Sequence, residues 1–361
     1  SVRLLICAGG TGGGVYPALA VHGALTTKVG DVETLWVGGE GGMEESLVKR
    51  QGIPFRSIPA AGLHGVSLAV LPRNLALLGR GVLKARSLLN DFQPDVLLFT
   101  GGYVAVPMAL AGRSVASLLY VPDIEPGMAL KSLARFADVI AVTTDQSQKF
   151  FKKPVYETGY PLRPDLALWD RQTAHQHLGI TGSLPVLLVS GGSKGARSIN
   201  LAVLSNLPAL LAKFEVIHIS GERDWPNVKT MRTELPVELA ARYHPMSYLH
   251  EMGAALASAD LVVSRAGAST LGEYPLFGLP AILVPYPHAW RYQKVNADYL
   301  TRRGAAILLE DHHLHDELLV TLNVLLENPN KLKAMRAAMF ELSHPRAAEK
   351  IASALIQLAG G

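Results

Sequence analysis

The stretch LLICAGGTGGGVYPAL, residues 4–19, decides the architecture. Residues 4–8 are an apolar run. Five glycines follow in six positions, Gly9, Gly10, Gly12, Gly13 and Gly14, with only Thr11 among them. Pro17 and a helical stretch come next. Glycine lets a chain leaving a strand turn sharply and lets its N–H groups approach an anion closely. The following helix N-terminus adds partial positive charge. Pro17 suits the first turn of that helix.

The arrangement recurs in TGGYVAVP (100–107) and SGGSKGARS (190–198). Short apolar runs alternate with helical stretches throughout. Strands are expected at 4–8, 34–37, 96–100, 117–121 and 139–142, then at 186–190, 216–219, 261–264, 281–284 and 305–308. Continuous apolar runs separated by helices predict parallel sheets covered on both faces. The fold class is therefore α/β, with two Rossmann-like doubly wound domains. The prolines and glycine of ETGYPLRPDL place the boundary near 155–170, giving domains at 1–160 and 161–340. A C-terminal helix within 341–361 could pack on either.

A chain of 361 residues, 49% hydrophobic and 18% charged, fills two cores. The single cysteine, Cys7, excludes an internal disulfide and reads as a core thiol in a reducing compartment. No secretory signal precedes the first strand. Residues 96–112 carry no charge, but Gly101, Gly102 and Pro107 break them into strand, loop and helix, too short a run for a membrane span. The net charge is +4, unevenly spread: residues 49–90 hold seven Lys or Arg and no Asp or Glu. Leucines interleave with these cations over 66–90, which suits an anionic lipid surface; a core helix with a basic outer face is the alternative. Nucleic acid gains no support, because stacking aromatics are missing from the basic stretch.

The glycine loops fit neither common phosphate motif. Gly10 and Gly12 would need a glycine at Val15 for a dinucleotide fingerprint, and Lys194 is followed by Gly195 rather than Ser or Thr. Three such loops at strand ends in two similar domains point to a site that handles phosphate. His312, His313 and His315 lie close together but suit a surface turn, so no metal site is expected.

These loops and three further segments resemble the MurG family of peptidoglycan glycosyltransferases over nearly the whole chain. GGTGGGVYP resembles its GGTGGH-x-x-P. GGYVAVP and GGSKGAR resemble its second and third glycine loops. YPLR (160–163) resembles its NPVR, RAGASTLGE (265–273) its R-S-G-A-x-T-x-x-E, and HAWRYQKVN (288–296) its H-x-x-R-Q-Q-x-x-N. The resemblance implies a GT-B fold, two domains facing a cleft. It implies inverting transfer of N-acetylglucosamine from UDP-GlcNAc to the muramoyl C4 hydroxyl of lipid I, with no metal or other cofactor. It further implies a cytoplasmic protein, peripheral on the inner face of the membrane through residues 66–90.

On the donor side it implicates Thr11, Gly12, Gly13, Gly191, Gly192 and Ser193 in diphosphate binding, and Ala268, Ser269 and Thr270 in donor binding. Arg163 would pair with phosphate, Glu273 would accept ribose hydroxyls, Leu249 would offer backbone to uracil, and Gln293 and Asn296 would bind sugar hydroxyls. The acceptor side takes Gly10, Gly14, Gly101, Gly102, Tyr103 and Gly127.

The pattern fails on that acceptor side. Gly14 stands where the family has histidine, and glycine cannot take a proton. Tyr120, Val121, Pro122 and Asp123 replace the family's H-E-Q-N, Leu130 a later asparagine, Tyr160 the asparagine of NPVR, and Tyr292 the first glutamine of R-Q-Q. One reading is an active enzyme whose base has moved, with Asp123, Glu125 and His64 as candidates and a changed acceptor in prospect; solvated loop carboxylates are the plain alternative for the first two. The others are a relative that only binds nucleotide sugar or lipid, and a UDP-sugar epimerase.

Overall fold

The computed structural model describes residues 1–9, 12–62, 66–192 and 197–360. The chain forms two compact units, one comprising Ser1–Arg163 with His344–Gly361, the other Pro164–Ser343.

The first unit holds a seven-stranded parallel sheet. Its strands are β1 (Val2–Ala8), β2 (Val32–Gly39), β3 (Phe55–Ile58), β4 (Val96–Gly101), β5 (Ala116–Val121), β6 (Val139–Val142) and β7 (Tyr156–Glu157), in the order β3-β2-β1-β4-β5-β6-β7. β1 and β4 lie at its centre, and Leu4, Leu5, Ile6 and Cys7 are fully buried. Burial, then the charge of Glu44, pushes the Cys7 thiol up, so it stays an inert core residue.

The second unit holds β8 (Val186–Ser190), β9 (Glu215–Ile219), β10 (Tyr243–Met246), β11 (Leu261–Ser264), β12 (Ala281–Leu283) and β13 (Ala306–Leu308), all parallel, in the order β10-β9-β8-β11-β12-β13. All ten expected strands form. The three that sequence missed, β3, β7 and β10, are sheet-edge strands. Edge strands are short and half exposed, and β10 carries Pro245, which a central ladder would not tolerate.

The C-terminal helix, Ala347–Gly360, belongs to the first unit. It packs on the helix Gly12–Val29 and against β4 and β5, burying Ile351, Ala352 and Leu355. Pro17 does not sit in a first turn as expected. The helix already starts at Gly12, so Pro17 lies in its second turn and removes the amide that would bond Gly13. Nearby, Thr100 Oγ1 donates to Gly14 O at 2.7 Å, tying this irregular helix start to β4. Among the described residues no helix is long and apolar enough to cross a membrane.

Candidate active site

In a doubly wound sheet the carboxyl ends of all strands share one edge, and ligands bind where the strand order reverses. In the second unit that point falls between β8 and β11. A cavity of about 470 Å³ opens there, lined by Gly192, Arg197 and Ser198 after β8, residues 220–224 after β9, Arg265 after β11, residues 286–288 after β12, and Asp311. Gly192 takes φ +77° and Gly221 φ +78°, so the loops after β8 and β9 both turn through left-handed glycines.

Arg265, only 6% exposed, is fixed from three sides. Its Nη1 donates to Val284 O at 3.2 Å and to Asp311 Oδ1 at 2.5 Å, and its guanidinium lies 5.3 Å from the Tyr286 ring centre. Behind it, Gln293 Oε1 accepts from Ala266 N at 3.2 Å and from Tyr286 N at 2.8 Å. Asn296 is fully buried and donates Nδ2 to Ala266 O at 3.1 Å. Where a sugar-binding role was expected of Asn296, the side chain is packed on backbone. It holds the loop that carries Arg265, and the carbonyl of Gln293 does the same.

The floor of the 220–224 loop is a buried hydrogen-bonded chain. Tyr243 Oη lies 2.7 Å from His218 Nδ1, and His218 Nε2 lies 2.7 Å from Asn200 Oδ1. Asn200 Nδ2 donates to Ser220 O at 2.9 Å and to Asp224 Oδ2 at 2.8 Å. Because the amide nitrogen serves those two acceptors, Oδ1 must accept from His218 Nε2–H. His218 Nδ1 is then the acceptor for the Tyr243 hydroxyl. Burial pushes the His218 pKa down to about 4, so the ring is neutral at pH 7.

Of the expected donor residues, Gly192 lines the cavity and Gly191 is buried beside it. Ala268, Ser269, Thr270 and Glu273 lie at the start of the helix Thr270–Phe277, on the same sheet edge but outside the cavity lining; Thr270 Oγ1 donates to Gly267 O at 2.7 Å. Leu249, half-buried, follows β10 and is also outside that lining. Arg163 closes the first unit, its guanidinium 6.0 Å from the Tyr16 ring centre. Sequence reasoning passed over Arg197, Arg265 and the SGERD loop 220–224. The missed signal is a fourth glycine directly after an expected strand. Gly10, Thr11, His64 and Ser193 lie outside the described residues.

The first unit has its own switch point, between β1 and β4. Two of the glycine loops meet there. Gly102 takes φ +86°, and a Cβ on it would lie 2.6 Å from Gly9 O. A Cβ on Gly14 would lie 2.8 Å from Thr100 O and 3.1 Å from its Oγ1. Gly101 takes φ +140°; Tyr103 is half exposed and its ring covers Gly62. Gly13 is exposed just inside the helix start, and Gly127 caps the helix Met128–Leu133.

The loop after β5 is held at alternate carbonyls. Thr143 Oγ1 donates to Pro122 O at 2.9 Å and Ser147 Oγ to Ile124 O at 2.7 Å. Glu125 is only 7% exposed, unlike a solvated loop carboxylate, whereas Asp123 is half-buried and still reaches water. Tyr120 is fully buried, 2.7 Å from Thr143 Oγ1, and packs edge-on against Tyr160 at 6.3 Å between ring centres. Two positions that depart from the family pattern thus meet in space. They form a wall of the loop's support.

Glu310, His312 and His313 bring their ligand atoms within 4.8 Å of one another, at the surface, where Glu310 pairs with His312 at 3.2 Å.

The glycosyltransferase family 28 N-terminal domain matches residues 4–142, and the family 28 C-terminal domain residues 186–351. A relative from Roseiflexus sp. (strain RS-1), named UDP-N-acetylglucosamine–N-acetylmuramyl-(pentapeptide) pyrophosphoryl-undecaprenol N-acetylglucosamine transferase, is 39% identical over 97% of this chain and 94% of its own. The chain belongs to glycosyltransferase family 28, in its MurG branch. A second relative of the same name, from Desulforudis audaxviator (strain MP104C), is 38% identical over 99% of both chains. The crystal structure of Acinetobacter baumannii MurG superposes with a TM-score of 0.77 at 26% identity, covering 99% of this chain and 100% of that one. Membership of the MurG branch makes the protein a hexosyltransferase of GT-B fold and sets the epimerase reading aside.

Proposed function

We propose that the protein transfers N-acetylglucosamine from UDP-GlcNAc to the C4 hydroxyl of the muramoyl sugar of a polyprenyl-diphosphate lipid, with inversion. The observation that carries this reading is the cavity at the β8/β11 switch point, lined by Arg197, Arg223 and the fixed Arg265 beside a glycine turn. Fixed guanidinium groups and backbone N–H groups meet the charge that develops on a departing diphosphate. In the reaction the acceptor oxygen forms a bond to the sugar C1, the bond from C1 to the diphosphate oxygen breaks, and UDP leaves with that electron pair. The acceptor proton passes to a base. Asp123 and Glu125 are the carboxylates for that role, on the carboxyl edge of the first sheet, in a loop pinned at Pro122 and Ile124, on either side of Asp123 and directly before Glu125.

Membrane docking is part of the proposal. In and before the helix Leu71–Phe92, Leu68, Val70, Leu75 and Leu83 are exposed beside exposed Arg73, Arg80, Lys84 and Arg86, while Asn74, Gly81, Ala85 and Leu89 face inward. Apolar side chains among cations suit the anionic face of a bilayer, which supports a position at the inner surface of the cell membrane. A different glycolipid acceptor is the second reading, favoured by the Tyr120–Tyr160 pair that replaces two polar family positions.

The test is a transfer assay with UDP-GlcNAc and a short-chain lipid I analogue, following UDP release and glycosylated product together. Product is the expected result. UDP-GlcNAc binding without product would move the acceptor to another glycolipid or reduce the protein to a binder.

A further inference from the structure

The hydrogen-bonded chain beneath the 220–224 loop has no counterpart role in the transfer chemistry. We propose that His218 is a positioning residue for the nucleotide-sugar site, acting through Asn200 on the loop that forms one wall of the cavity. The inference rests on the donor-site reading above.

Three observations carry it. The first is directionality. His218 Nε2–H donates to Asn200 Oδ1, which commits the Asn200 amide nitrogen to Ser220 O and Asp224 Oδ2, one at each end of the loop. The second is burial. His218 is 0% and Asn200 1% exposed, and Ser220 and Asp224 both line the cavity, so the chain runs from the core to the ligand wall. The third is that the far end is anchored. Tyr243 is fully buried in β10 and fixes the ring through its hydroxyl. The loop between the anchors turns through Gly221 at φ +78°, which alone would leave it many conformations. A site held to a fraction of an ångström needs such outer support, and a loop that must order on binding lowers affinity for the ligand.

The test separates positioning from packing. His218→Gln keeps an N–H donor near the Nε2 position, whereas His218→Phe fills the volume and donates nothing. With the whole chain, H218F should raise the KM for UDP-GlcNAc about tenfold, the equivalent of about one ordinary hydrogen bond, and leave kcat within about threefold. H218Q should restore KM to within about threefold of wild type. Calorimetric binding of UDP should follow the same order. Asn200→Asp, which removes both amide donations while leaving His218 in place, should reproduce the KM rise and serves if H218F does not fold. Equal KM rises in H218Q and H218F would overturn the proposal in favour of packing. An unchanged KM in H218F or N200D, with Arg265→Ala strongly impaired, would also overturn it. Were R265A to leave UDP-GlcNAc binding unchanged as well, the donor-site reading itself would fall, and the proposal with it.

Discussion

At the scale of single residues, Gly14 is not simply a histidine lost. The helix start rests directly on the Thr100 carbonyl, 2.8 Å from where a Cβ would stand. Restoring histidine should therefore cost folding before it offers a base. Gly14→Ala is expected to destabilise the first unit by about 1–3 kcal/mol, the usual cost of overpacking against backbone, read as a lower thermal midpoint. His218 supplies a second prediction. Its pKa is about 4 in the fold against 6.5 in a free side chain, through burial that the charge of Asp224 only partly opposes. A lowered histidine pKa means that the unfolded chain binds the extra proton. The contribution to stability is complete above pH 6.5 and is lost as pH falls towards 4. Chemical denaturation of wild type across that window should show a loss approaching about 3 kcal/mol that H218Q lacks. Residue identities alone could not place Asn296 or Gln293. Amides suit a sugar and a backbone equally well, and only burial tells which they meet.

At the scale of elements, the central strands were legible because burial on both faces leaves them few polar positions. Three of the four edge strands were not, because nothing forces an apolar run on a strand that water reaches. Glycine after a strand located both switch points, and it failed only at SGERD, where a single glycine carries the turn. The helix Leu71–Phe92 was ambiguous in sequence, since a core helix and a lipid-facing one share leucine and arginine. Its exposed Leu75 and Leu83 favour the second. Leu75→Glu with Leu83→Glu should lower partitioning onto vesicles containing anionic lipid at least tenfold in a sedimentation assay, and leave thermal stability within about 0.5 kcal/mol. The loop after β5 carries the catalytic expectation. Asp123→Asn with Glu125→Gln should cut kcat about 10²- to 10⁴-fold without changing UDP binding, and a full rate in that double variant would remove both carboxylates from the mechanism.

For the whole molecule, the last helix is the informative element. Its apolar face, Ile351, Ala352 and Leu355, is buried within the first unit, although Pro164–Ser343 intervene in the chain. Deleting residues 344–361 should lower the first unit's melting transition by several degrees, while the second unit's transition stays in place, read by calorimetry. The arrangement also sets an order of events during synthesis. Pro164–Ser343 is one uninterrupted segment and leaves the ribosome complete, free to close its core at once. The first unit waits. Its sheet emerges early, yet the surface that receives Ile351 and Leu355 stays open until residues 344–361 arrive. The unit whose sheet is made before the other is thus the one that finishes folding after it.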